Sequence, residues 1–112
     1  MTLLDIIANL NLNVLTTPQD FKAVAPQGGY ASDLLSCVVA GAQPGNLWVT
    51  LQAHMNVVAV AALREVSAVI ITENAQPDVD VIEKANGQGV VLLSTEKPSY
   101  EIVGKLWEMG IR

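Results

Sequence analysis

Two short apolar runs dominated by β-branched and other bulky residues, Leu47–Leu51 and Ala68–Thr72, have the length and composition of buried strands. The segment between them, about Met55–Glu65, is long enough for a crossover helix, so the stretch reads as a βαβ unit. Such a unit requires a parallel sheet and a right-handed crossover. A third run, Val90–Leu93, repeats the strand pattern, and helices are expected on either side of it, at about Asp78–Asn86 and Ser99–Met109. Gly87 and Gly89 stop the first of these helices, and Asp80 and Glu83 have the spacing of a capping box. Pro98 and Gly110 bracket the second in the usual order, with Ile102, Val103, Leu106 and Trp107 toward the inside.

The amino-terminal third is more varied. Leu3, Leu4, Ile6, Ile7 and Leu10 make one apolar helical face, with Thr2 as its cap. Asn13–Thr16 reads as a short strand, Thr17–Asp20 as a turn, and Phe21–Ala25 as the antiparallel return strand of a hairpin. Pro26-Gln27-Gly28-Gly29 ends the hairpin in a sharp turn. Ser32 is then placed to cap a helix to about Ala40, with Asp33 in its first turn and Leu34, Leu35 and Val38 as its buried stripe. No linker or internal repeat divides the chain. The expectation is a single α/β domain over residues 1–112, a three-layer sandwich around a mainly parallel sheet of about four or five strands.

Composition sharpens this picture. Hydrophobic residues make up 51% of the chain and charged residues 15%, against roughly 25% charged in a typical soluble domain. The helix Val57–Glu65 is apolar around almost all of its first two turns, so it should be covered on more than one side. One side would be the sheet and the other a second subunit. The net charge of −5 and the absence of any Lys/Arg cluster exclude the electrostatic footprint of nucleic-acid binding and disfavour anionic membrane surfaces. The longest unbroken apolar run, Val57–Leu63, is too short to span a bilayer. Asp5 and the lack of a basic start argue against a signal peptide, and the single cysteine cannot form an internal disulfide, so a cytoplasmic location is expected.

Candidate chemistry lies where strands end. Gln52, His54, Asn56 and Thr72 sit at such positions, and helix amino termini behind them favour anions. His54 is the only histidine and the one acid–base candidate, with Glu73 or Asp33 as partner; the alternative is that His54 or Asn56 caps the following helix. Gly28, Gly29 and Ser32 match neither a P-loop nor a dinucleotide fingerprint, yet an anion can sit on the amides of such a turn. Cys37 lacks metal-site spacing and is expected to be a buried, inert thiol. Trp48 is expected in the core, and Trp107 is a candidate for an interface. No catalytic residue, metal site or cofactor follows from these residues.

The segments GGYASDLLS (Gly28–Ser36), GNLWVTLQAHMNVVAVAAL (Gly45–Leu63) and VIITENAQPD…VVLLST (Val69–Thr95) resemble DRTGG-domain proteins, in particular small stand-alone members labelled serine kinase-like. The resemblance implies a fold like the non-catalytic amino-terminal domain of HPr kinase/phosphorylase and a regulatory or assembly role through dimer contacts. It also implies a redox-linked protein partner, because stand-alone relatives tend to be encoded near iron hydrogenase components. A kinase label would not transfer, since kinase activity belongs to a separate P-loop domain. Where many members carry Asp-Arg after the first core strand, this chain has His54-Met55. Where they carry Thr-Gly-Gly after the second, it has Thr72-Glu73-Asn74. The expected function is therefore a non-catalytic, homodimeric regulatory or assembly domain with a partner in a redox or metabolic complex. The alternative is a nucleotide or anion sensor at the strand ends.

Overall fold

The computed structural model describes residues 1–112. Five strands, β1 (Asn13–Val14), β2 (Gly29–Ala31), β3 (Leu47–Thr50), β4 (Ala68–Ile71) and β5 (Leu92–Ser94), form one sheet in the order β1-β5-β4-β3-β2. The last four are parallel, and β1 runs antiparallel to β5. Five helices complete the chain: α1 (Leu3–Leu10), α2 (Leu35–Gly41), α3 (Met55–Arg64), α4 (Val79–Gln88) and α5 (Ser99–Glu108).

The central strands read as unbroken apolar runs because both of their faces are covered. Leu47, Val49, Ala68, Ile70, Val91 and Leu93 point to one side, where they pack with Leu3, Ile6 and Leu10 of α1 and Ile102 and Leu106 of α5. Trp48, Val69, Ile71 and Leu92 point to the other, against Val38 of α2, Val57, Val58 and Ala61 of α3, and Val81 and Ala85 of α4. Parallel strands β2 to β5 advance in one direction across the sheet, so their three crossover helices share one face. α3 is the middle helix of that layer, between α2 and α4, which accounts for its apolar flanks without a second subunit.

Several expectations are corrected. Phe21–Ala25 is no return strand: Phe21–Ala23 is a single 3-10 turn, with Phe21 buried beside α1. A free hairpin would have no covered face, whereas the edge of β5 offers β1 both a ladder and a core. Asn13 pairs with Ser94 and Val14 with Leu93, and the Thr16 hydroxyl accepts the Leu92 amide at 3.2 Å. The turn expected at the paired glycines is confined to Gly28, whose φ is +73°, while Gly29 already belongs to β2. α2 begins at Leu35, not after Ser32, whose hydroxyl accepts the Leu34 amide in a local turn. Leu34 is consequently 61% exposed rather than part of a buried stripe, and Cys37 is exposed. α4 starts after Asp78 and runs through Gly87 to Gln88, so Gly89 alone stops it, and Asp80 and Glu83 form no capping box. On α5 only Ile102 and Leu106 point inward; Val103 is 37% and Trp107 57% exposed. Trp48 is fully buried, its indole donating to the Ser32 carbonyl at 2.9 Å.

Candidate functional site

The carboxyl ends of β2, β3 and β4 bring together residues from four loops. After β2 the chain turns at Ser32 and sends the Asp33 carboxylate back to β3. One of its oxygens accepts both the Thr50 hydroxyl and the Leu51 amide, each at 2.8 Å. The Gln52 amide donates to the Thr50 hydroxyl at 3.1 Å, and its side-chain amide donates to the Asp33 carbonyl at 3.1 Å. Asp33 therefore fastens the β2–α2 loop to the end of β3 instead of sitting in the first turn of a helix.

Beyond β4, Thr72 is buried, its hydroxyl donating to the Thr50 carbonyl at 3.3 Å and hydrogen-bonded to the Ser99 hydroxyl. Glu73 and Asn74 follow with φ of +61° and +59°, and the Ala75 amide donates to the Thr72 carbonyl at 3.1 Å. Two successive positive φ angles closed by that bond make a type I′ turn, which favours Asn and Gly. The turn is held from the other side: Glu73 and Asn74 donate their amides to the carbonyls of Lys97 and Thr95. The Glu73 carboxylate accepts the Ser99 amide at 2.7 Å, placing an acid on the amino terminus of α5 where the helix dipole favours it.

His54 is the cap of α3, its Nδ1 accepting the Asn56 amide at 3.3 Å. With Nδ1 acting as acceptor, the neutral ring carries its proton on Nε2. Neither Glu73 nor Asp33 hydrogen-bonds to His54, since both carboxylates are engaged elsewhere. A cleft of about 470 Å³ opens between the amino ends of α3 and α4, lined by Ala53, His54, Met55, Gln76, Asp78, Asp80 and Val81. Its two aspartates place negative charge where the helix ends would otherwise attract anions.

Of the residues picked out from the sequence, Ser32, Gln52, His54, Asn56 and Thr72 lie at this end of the sheet. Gly28 and Gly29 do not: they lie at its amino end, where Gly29 pairs with Leu47 and Gly28 packs against the Arg112 carbonyl and the Asn46 side chain. The sheet advances in one direction from β2 to β5 and has no strand-order reversal among its parallel strands, which is where an open sheet forms its ligand crevice. Thr50 and Ser99 were not anticipated; Asp33 and Glu73 were, but as partners of His54. No group of three or more His, Cys, Asp or Glu side chains is arranged to hold a metal ion. No helix is long and apolar enough to cross a membrane.

The sequence profile of the DRTGG domain matches residues 34–109. The chain belongs to the DRTGG-domain family. Comparison with solved structures adds the fold of this DRTGG chain. It is similar to the CBS and DRTGG domains of the regulatory region of Clostridium perfringens pyrophosphatase, crystallised with the activator diadenosine tetraphosphate, at a TM-score of 0.74 and 16% identity. The likeness covers 92% of this chain and 44% of that one, so the chain spans less than half the length of the solved region. Comparison with curated proteins gave no match.

Proposed function

We propose that this chain is a non-catalytic regulatory or assembly domain that works as a homodimer in the cytoplasm, with a protein partner in a redox or metabolic complex. The observation that carries the non-catalytic part is the use to which the strand-end side chains are put. Asp33, Thr50, Thr72, Glu73 and Ser99 bond to one another or to backbone, and His54 commits Nδ1 to a helix cap. An acid–base or nucleophilic role requires a side chain available to a substrate, with a partner that activates it. DRTGG membership and a fold shared with a regulatory region support the regulatory part. The redox partner, the serine kinase-like label and the kinship with the HPr kinase amino-terminal domain rest on the sequence resemblance.

A second reading, a nucleotide or anion sensor, is favoured by the presence of diadenosine tetraphosphate in the solved Clostridium region; the cleft beside His54 offers it room, although Asp78 and Asp80 oppose an anion there. The two readings separate in a thermal-shift screen with diadenosine tetraphosphate, mononucleotides and inorganic phosphate, run on protein of known oligomeric state. A ligand at ~100 times its dissociation constant adds ~2.7 kcal/mol, a visible shift for a domain of this length. The assembly reading expects a dimer whose melting temperature is unmoved by these compounds. A shift that disappears in His54→Ala and in Gln76→Ala would replace it with the sensor.

A further inference from the structure

We draw no further inference here: the strongest candidate, the apolar groove between the edge strand β2 and α5 lined by Ala31, Val103 and Trp107, carries nothing because no observation in the structure shows what covers it.

Discussion

Glu73 and Ser99 are joined across the carboxyl end of the sheet, the carboxylate of the first accepting the amide of the second at 2.7 Å. Two opposed terms meet at Glu73. Its left-handed backbone, φ +61°, costs a non-glycine residue about 1–2 kcal/mol, while its cap on α5 is worth about 1 kcal/mol. Glu73→Ala loses the cap and keeps the strain, so it is expected to lower stability by about 1–2 kcal/mol. Glu73→Gly loses the cap but releases the strain, and should stay within about 0.5 kcal/mol of the parent. Urea unfolding of the two variants decides the matter, and equal losses would refute the strain term.

The role of His54 is separable in the same way. If its Nδ1 is a helix cap, His54→Ala costs about 1 kcal/mol, whereas His54→Asn keeps most of the stability because asparagine caps well. Unfolding midpoints measure this. A loss in the asparagine variant as large as in the alanine variant would mean that the imidazole contributes through something other than its cap.

Tyr30 of the edge strand lies against Gly41 of α2, so closely that a Cβ at Gly41 would stand 2.6 Å from the phenol ring. Gly41→Ala is therefore expected to displace Tyr30 and cost about 1–3 kcal/mol. Combining it with Tyr30→Ala removes the clash, so the double variant should lose less than the two single losses together. Strict additivity in chemical denaturation would show that the ring has room to move.

Stability should depend on pH through two exposed helix ends. The Thr2 amide and hydroxyl hold the Asp5 carboxyl below the usual aspartate value, and Lys105, with Lys97, does the same for Glu101. A lowered folded value means that the contribution is complete above the unfolded value of about 4 and fades as pH falls through the folded one. Lys105 is raised by its bond to Glu101, so its contribution is complete below about 10.4 and fades as pH rises past the folded value. Asp5→Asn should flatten the acid limb and Lys105→Met the alkaline limb. Both effects should shrink in high salt, because these groups are at the surface. Urea titrations across pH, at two salt concentrations, test all three statements.

What the sequence revealed and what it concealed follow from where each element gets its stability. β3, α3 and β4 were legible because Trp48, Val69, Ile71 and their alternating neighbours are apolar on both faces. β2 was not, since Gly29-Tyr30-Ala31 is extended by its hydrogen bonds to β3 rather than by its own side chains. The supposed hairpin failed because a partner some eighty residues away offers more than the nearby one. At the strand ends, Thr72 and His54 could be found from position alone. The reach of Asp33 to Thr50 could not, being a contact made only once the sheet exists. Glu73 and Asn74 did leave a trace: they stand where many family members carry two glycines, the residues that two successive positive φ angles select.

The two-residue ladder of β1 has a kinetic meaning. It pairs with an edge that is otherwise the flank of a strand buried on both faces, and joining it requires Thr16 to meet Leu92 across most of the chain. Contacts of such long sequence separation form late and small terminal ladders open early. Each opening would bare the backbone of β5, an apolar strand of the kind that recruits other chains. The amino-terminal segment thus acts as the stopper of this edge of the sheet, and how well β5 stays covered depends on how seldom those few bonds let go.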